Sequence, residues 1–372
     1  MIKLYKIPVD LEFTLKGGIF LLKINDFTHK RISGDNRLQS FRDVLEYNNI
    51  NLSTKICFGL GQGIFFRFLD SYPNTSIITM IGRNSDTEET LCRSLGINII
   101  CHEETNIYRA KMILINRLEK YIPTIIDVDV NALDYSDKIS STDNMHSVVV
   151  IGFDEKEDKF AIIDSVSTEP IWIESKKLEK ARNSTSCVFL PKNKWYDLDF
   201  ANYKNYLTLN AYCSSIKSVC LHMKSRLFDT GINGMRNLFN EFNERYDEFR
   251  GNNLDDDSKE LLNLNLLYFG SQIKNSESSN SFYRSLYAEY LKRLYLFTDI
   301  EFFNEYSSKC NKISLFWKRL GDFLTSEDES LMSRIAYFIN IFSEIIHMED
   351  EFFTSLYEGL NQFIIKKEDK IE

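Results

Sequence analysis

The stretch NMHSVVVIGFDEKEDKFAIIDS, residues 144–165, predicts a β-hairpin and thereby a β-containing domain. Val148–Ile151 and Phe160–Ile163 are continuous apolar runs of strand length. Gly152 and the polar segment Asp154–Lys159 are typical of the turn that joins two such strands. The fold of the first half of the chain is therefore built outward from this hairpin.

One histidine and one aspartate flank the hairpin at matching positions. His146 precedes the first strand and Asp164 follows the second, so the hairpin brings both to the same end of two paired strands. A base beside a carboxylate that orients its imidazole is the papain-type arrangement, whose third member is a thiol at a helix start. The helix N-terminus lowers the pKa of that thiol, so the upstream helix starts need inspection.

A helix start lies upstream, near Asp35. Leu38, Phe41 and Leu45 recur at three- and four-residue spacing, which predicts an amphipathic helix over Leu38–Tyr47. Asp35 is a plausible N-cap for it. No cysteine lies at this helix start.

Composition changes along the chain and predicts two domains. All five prolines lie at or before Pro191, and the later half carries apolar residues at helical spacing throughout. The earlier half mixes short β-rich runs with helices, among them a second helix over Asn106–Tyr121. We therefore expect an α+β domain with a largely antiparallel sheet over residues 1–195 and an all-helical domain over 205–372.

Net charge, cysteine pattern and the length of apolar runs argue against several classes of protein. A net charge of −9 argues against a nucleic-acid binder, which needs a basic face. Seven scattered cysteines without a CxxC pair or a histidine cluster favour reduced thiols over a disulfide frame or a metal site. The opening residues lack the apolar run of a signal peptide, and no stretch reaches about 18 apolar residues. The expectation is a cytoplasmic protein.

Several segments in order resemble the family of butirosin biosynthesis protein H. They are FRDVLEYNNINLS, CFGLGQGIFFRF, MIGRNSDTEETLCRSLGI, TIIDVDVNALDY, the hairpin, SFYRSLYAEYLKRL and FWKRLGDFL. The resemblance implies a papain-like first domain, similar to bacteriocin-processing peptidases, and a helical second domain. It also implies an acyltransferase that moves an aminoacyl group from a carrier-protein thioester onto an amine in antibiotic and other natural-product assembly. The family's catalytic histidine and aspartate fall on His146 and Asp164.

The family's nucleophile has no counterpart here. The family's helix opens with a His-Cys pair, which falls on Asp35 and Asn36 in this sequence. Cys57 follows the helix and is either a buried thiol or a relocated nucleophile. Ser40 lies one turn after Asn36, and we expect it to pack rather than to react. The triad is thus degenerate, and an acyl-enzyme formed by the family route is not expected.

Acyl transfer remains possible without the thiol. His146, oriented by Asp164, would take a proton from an amine that attacks a bound thioester. Asn36 would hold the developing oxyanion through its NH₂ group, and Asp35 would either bind the cationic amine or cap the helix. The alternatives are an inactive member that binds a small molecule or a protein, and a thioester or amide hydrolase.

Other candidates rest on weaker patterns. Gly59, Gly61 and Gly63 form a GLGQG turn that either contacts a phosphopantetheine arm or the acyl group, or serves only as a turn. Arg83 is a candidate for binding a substrate carboxylate or phosphate, with an ion pair as the alternative. By family position, Arg284, Tyr287 and Glu289 are candidate pocket residues.

The expected partners follow from this chemistry. The small-molecule partner is an amine acceptor, and the candidate protein partners are an acyl carrier protein that brings a phosphopantetheine-borne thioester and a second copy of the chain. No metal and no resident cofactor are expected.

Overall fold

A computed structural model of the chain describes residues 21–30, 35–69, 78–133, 135, 145–186, 190–204, 207–251, 254–274 and 280–368. Internal contacts divide the chain into two compact units, which comprise residues 1–54 with 97–202 and residues 55–96 with 203–372. Within the described ranges, every helix is too short or too polar to cross a membrane.

The described residues contain nine strands and eleven α-helices. The strands are β1 (Leu21–Lys23), β2 (Ile64–Leu69), β3 (Thr79–Arg83), β4 (Asn98–His102), β5 (Thr124–Asp129), β6 (Met145–Asp154), β7 (Lys159–Ile163), β8 (Ile171–Glu174) and β9 (Trp195–Asp199). The helices are α1 (Asn36–Tyr47), α2 (Thr54–Leu60), α3 (Thr87–Leu95), α4 (Ile107–Leu118), α5 (Ser175–Arg182), α6 (Leu209–Met223), α7 (Gly231–Arg250), α8 (Asp256–Lys274), α9 (Arg284–Thr298), α10 (Glu301–Leu324) and α11 (Leu331–Glu368).

The first unit is built on a seven-stranded antiparallel sheet in the order β4-β9-β5-β6-β7-β8, with β1 also paired to β6. The central strands β5, β6 and β7 are buried along nearly their whole length, which explains their continuous apolar sequences. The predicted antiparallel α+β domain is confirmed. The sequence pattern does not predict β9, whose WYDLD sequence alternates polar with apolar residues over only five positions.

The predicted hairpin is formed by β6 and β7, but its turn is shorter than the sequence pattern indicates. β6 runs to Asp154, so Gly152 lies within the strand, where it pairs with Ala161 on one side and Lys23 on the other. A Cβ atom on Gly152 would lie 2.8 Å from the carbonyl oxygen of Leu22. Glycine is therefore required by the close approach of β1 and not by a turn.

The predicted first helix is confirmed and starts two residues earlier than its apolar stripe. Leu38, Phe41 and Leu45 are fully buried on the face of α1 that contacts the sheet. Asp35 is the N-cap, because its Oδ1 accepts a hydrogen bond of 2.9 Å from the backbone N–H of Leu38. The cap sets the helix start, and so the position of Asn36.

The second unit is helical except for the two-stranded sheet β2-β3, and its helical C-terminal part is as predicted. Its aromatic core includes Phe66 from β2, which packs against Trp317 at a ring separation of 6.4 Å. The backbone N–H of Ile78 donates to Asn265 in α8 at 2.7 Å. These contacts group residues 55–96 with the helices of the second unit, although the sequence predicts two contiguous domains. The predicted boundaries, 1–195 and 205–372, remain a prediction.

Candidate functional site

His146 and Asp164 lie together at one end of the β6–β7 hairpin, as the sequence predicts. His146 is paired with Val128 of β5, and Asp164 directly follows β7. The imidazole Nδ1 lies 3.7 Å from the carboxylate Oδ2, and the two residues are only 2% and 1% exposed. The sheet thus holds a base and a carboxylate side by side in a buried environment.

Asp164 is held in its charged form. Burial opposes ionisation, but the contacts with His146, Tyr135 and Ser165 outweigh it and keep the pKa of Asp164 below its ordinary value. The Tyr135 hydroxyl donates to Oδ2 at 2.8 Å, and the backbone N–H of Val166 lies 3.3 Å from Oδ1. Burial, with Asp164 adding to it, also raises the pKa of Tyr135, so the phenol stays protonated as a donor. A carboxylate of this kind stabilises the Nδ1–H form of the neighbouring imidazole.

Asn36, the first residue of α1, contacts the imidazole directly. Its side-chain nitrogen Nδ2 lies 2.8 Å from Nδ1 and 2.7 Å from Nε2 of His146. Because Nδ1 is the ring nitrogen paired with the charged Asp164, we assign the proton to Nδ1 and the lone pair to Nε2. Of the two ring contacts, the one at 2.7 Å therefore joins the amide nitrogen to the ring nitrogen whose lone pair general-base catalysis needs.

Ser165 completes the arrangement. Its hydroxyl lies at hydrogen-bond distance from the side-chain oxygen of Asn36 and 3.1 Å from Oδ1 of Asp164. Both ends of the Asn36 amide are thus engaged, one by Ser165 and the other by His146. The sequence pattern predicts neither Ser165 nor Tyr135, and the adjacency of Ser165 to Asp164 was the one available signal.

Cys57 and Ser40, the two side chains weighed as nucleophiles, are both buried. Cys57 is fully buried and belongs to the second unit, while the site belongs to the first. Ser40 is buried and its hydroxyl donates to the carbonyl oxygen of Ser147 at 2.7 Å, so it has the packing role expected of it. The chemistry that this cluster supports is proton transfer at His146 and hydrogen-bond donation by Asn36.

A second polar network lies beside the first, and the sequence pattern does not reveal it. Buried Asp127 of β5 accepts hydrogen bonds from Ser147 at 2.6 Å and from the Tyr196 hydroxyl at 2.7 Å. Arg37, which follows Asn36, donates to the same Tyr196 hydroxyl at 2.9 Å. This network anchors the first turn of α1 to β5, β6 and β9 and so fixes where Asn36 lies.

A second buried histidine–aspartate pair is also present in the first unit. Nδ1 of His29 lies 2.6 Å from Oδ2 of Asp43, and both side chains are buried. Gln39 donates to the other oxygen of Asp43 at 2.9 Å. Asp43 is inside α1, so this pair ties the segment before the helix to α1.

The glycines of the GLGQG turn belong to the second unit and are required by packing. A Cβ atom on Gly59 would lie 2.2 Å from the ring of Tyr290. One on Gly61 would lie 2.4 Å from the backbone oxygen of Thr87, and one on Gly63 would lie 2.4 Å from the ring of Phe58. These contacts favour the turn alternative, and a substrate-binding role for the three glycines stays a prediction.

The two arginines singled out in the second unit are both paired. Arg83 forms an ion pair with buried Glu88 and donates to the carbonyl oxygen of Asn84 at 3.0 Å. The ion-pair alternative for Arg83 is thus present, and its substrate-binding role remains untested. Arg284 is 1% exposed and paired with Glu349 at 2.7 Å, so the idea that it lines a pocket is wrong.

No metal cluster is associated with the site in the part of the chain that is described. No group of three or more His, Cys, Asp or Glu side chains there is arranged to hold a metal ion. A surface concavity of about 360 Å³ lies in the first unit, and its lining includes Tyr47, Arg117 and the ring of Tyr196. None of its lining residues is His146, Asp164, Asn36 or Ser165.

Comparison with known families adds one finding. The family model described as butirosin biosynthesis protein H, N-terminal, matches residues 38–165. The matched range includes His146 and Asp164 and begins two residues after Asn36. The chain has no significant match among curated proteins.

Proposed function

We propose that this protein is an acyltransferase of bacterial natural-product biosynthesis with a papain-like first unit, because residues 38–165 match the family model described as butirosin biosynthesis protein H, N-terminal. It joins an acyl or aminoacyl thioester to an amine. The observation that carries the proposal is the buried His146–Asp164 pair, which meets the first residue of a capped helix. In this proposal the cluster acts as a papain-type site with an amide in place of the thiol.

The proposed reaction is a direct, single-step transfer. The amine nitrogen attacks the thioester carbonyl, so that a C–N bond forms and the C–S bond breaks. Nε2 of His146 takes the proton that the amine loses and returns it to the departing thiolate, and charged Asp164 stabilises the imidazolium meanwhile. General-base catalysis of this kind typically contributes about 10²–10⁴-fold to the rate.

Asn36 has two successive roles in this proposal. In the free protein its NH₂ group contacts the imidazole of His146 and lies 2.7 Å from Nε2. When a thioester binds, the same group turns to the carbonyl oxygen and stabilises the oxyanion, which leaves Nε2 open to the amine. Asp35 already caps α1, which supports the capping role over the binding of a cationic amine.

The first experiment measures product formation by the intact chain. The protein is incubated with an aminoacyl thioester and a panel of amines, and amide and free acid are measured by mass spectrometry. We expect His146→Ala to lower amide formation about 100-fold or more. The matched control is His102→Ala, because His102 is a partly exposed histidine of the same unit that also pairs with an aspartate, at 2.8 Å. Equal loss in both variants, or no loss in His146→Ala, would contradict the base assignment.

A second experiment tests the placement of Asn36. The variant Asn36→Cys restores a thiol at the helix start beside His146. We expect iodoacetamide or an acyl thioester to modify residue 36 faster than Cys57, which is fully buried. Absence of that preference would refute the correspondence between Asn36 and the family cysteine.

One observation favours a second candidate, an inactive family member that binds a small molecule or a partner protein. Both ends of the Asn36 amide are satisfied within the protein, and the cluster is almost fully buried. This candidate predicts no amide product with any amine, and no change in His146→Ala. Free acid that forms at the same rate with and without amine would instead identify a hydrolase, in which water replaces the amine.

A further inference from the structure

We propose that Ser165 is a positioning residue of this site, whose hydroxyl sets the orientation of the Asn36 amide and through it the tautomer of His146. The orientation and the tautomer are properties of the free protein. The effect on catalysis rests on the proposed function, so the two parts are tested by separate measurements.

The hydroxyl of Ser165 has a single proton and faces two acceptors. One is the amide oxygen of Asn36, and the other is Oδ1 of Asp164, 3.1 Å away. Asp164 has further partners, since it also receives the Tyr135 hydroxyl at 2.8 Å. The Asn36 oxygen has Ser165 as its side-chain donor among the described residues, so the hydroxyl proton is needed there.

The hydrogen bond that Ser165 donates fixes which end of the Asn36 amide is the oxygen and which is the NH₂ group. With the oxygen of Asn36 bound to Ser165, its NH₂ group points to His146, which must present a lone pair. The proton of the neutral imidazole then lies on Nδ1, facing charged Asp164. This is the tautomer that a general base requires.

The reversed amide has the opposite consequence. Its oxygen would take the place of Nδ2, 2.8 Å from Nδ1 and 2.7 Å from Nε2, and a neutral ring would turn one lone pair toward it. At Nδ1 that lone pair would also face the carboxylate of Asp164. That contact is repulsive, so the reversed amide favours a ring that is protonated at both nitrogens. An imidazolium cannot act as a base, and an amide oxygen in the oxyanion position would repel the developing charge.

The first test determines which ring nitrogens of His146 are protonated in the free protein. The chain is labelled with ¹⁵N-histidine, and the His146 signals are assigned by their loss in His146→Gln. In the wild-type protein we expect the neutral Nδ1–H tautomer, and in Ser165→Ala a shift toward the Nε2–H or doubly protonated ring. Ser165→Thr keeps a hydroxyl and should restore the wild-type signals. Ser167→Ala is the control, because Ser167 lies two residues away and its hydroxyl donates to the carbonyl oxygen of Glu169.

The second test measures amide formation by the same variants. We expect Ser165→Ala to lower kcat for amide formation about tenfold with little change in KM, and Ser165→Thr to recover most of it. Thermal melting of each variant shows whether the fold is retained.

The outcomes separate the inference from the proposed function. A changed tautomer in Ser165→Ala without amide formation by any variant supports the positioning role and contradicts the acyltransferase. Unchanged ring nitrogens in Ser165→Ala overturn the positioning role, whatever the activity. An acyl group found on Ser165 by mass spectrometry would make it a nucleophile and would also overturn the inference.

Discussion

Glu349 and Asp350 are neighbours in α11 that each pair with an arginine, and only the first pair is buried. Glu349 receives Nε and Nη2 of Arg284 at 2.7 and 2.9 Å, and both side chains are 1% exposed. Asp350 receives Nη2 of Arg236 at 2.7 Å, with side chains 38% and 52% exposed. We predict that Glu349→Gln strongly destabilises the second unit, whereas Asp350→Asn barely changes it.

The loss of unfolding free energy expected for Glu349→Gln follows from the burial of its ion pair with Arg284. Glutamine keeps an acceptor for the Trp317 Nε1–H that Glu349 now receives at 2.6 Å. The substitution removes the negative charge and replaces the oxygen that accepts from Nη2 of Arg284 by an NH₂ donor. The guanidinium of Arg284 is then left buried without a counter-charge, which typically costs about 3–5 kcal/mol. An exposed pair such as Asp350–Arg236 is worth about 0–1 kcal/mol, because water solvates both charges when they separate.

The assay is urea unfolding followed by tryptophan fluorescence. Trp317 is in the second unit, while the other two tryptophans, Trp172 and Trp195, are in the first. In a Trp172→Phe/Trp195→Phe background the emission therefore reports on the second unit alone. The free energy of unfolding is compared among the background protein, Glu349→Gln and Asp350→Asn.

A double variant tests whether the unpaired charge of Arg284 causes the loss of stability. In Arg284→Met/Glu349→Gln the unpaired charge is gone, so this protein should be more stable than Glu349→Gln alone. Part of the loss remains, since Arg284 also donates to the carbonyl oxygens of Phe65 and Phe282 at 2.9 and 2.8 Å. Equal effects of Glu349→Gln and Asp350→Asn, or a double variant less stable than Glu349→Gln, would show that the buried charge does not dominate.

Three further predictions concern the site and its supports. The pKa of Asp164 is lowered from its ordinary value of 3.8. The folded state is therefore stabilised at pH values above 3.8, and this stability is lost as the pH falls through the folded-state pKa. Tyr135→Phe should start this loss at a higher pH, and should lower the free energy of unfolding at neutral pH by about 1 kcal/mol. Denaturation series between about pH 2 and 7 measure both effects. Gly59→Ala should lower it by about 1–3 kcal/mol because its Cβ meets the ring of Tyr290 at 2.2 Å, and a smaller residue at position 290 should recover part of the loss. Asp35→Ala should lower it by about 1 kcal/mol while Asp35→Ser, which keeps a cap, should not, and a raised KM for the amine in Asp35→Ser would instead reveal a binding role.

Much of the first unit was predictable from local pattern. The apolar runs of β6 and β7 predict the hairpin, and hairpin pairing alone brings His146 and Asp164 to one end. The stripe of α1 and the cap at Asp35 are equally local, because capping and helical spacing act within a few residues. The position of Gly152 was misjudged, since its role depends on β1, a strand distant in sequence.

The sequence by itself therefore determined the antiparallel α+β unit, the helical C-terminal part, the His146–Asp164 pair and the absence of a thiol at the helix start. Only the tertiary structure decided that Asn36 faces His146, that Ser165 holds the amide from its other side, and that residues 55–96 join the helices. The physical reason is the separation along the chain of the residues that interact. Strand pairing, helix periodicity and capping depend on neighbours in the chain, whereas the Asn36–Ser165 contact joins residues far apart in sequence and depends on how α1 packs on the sheet.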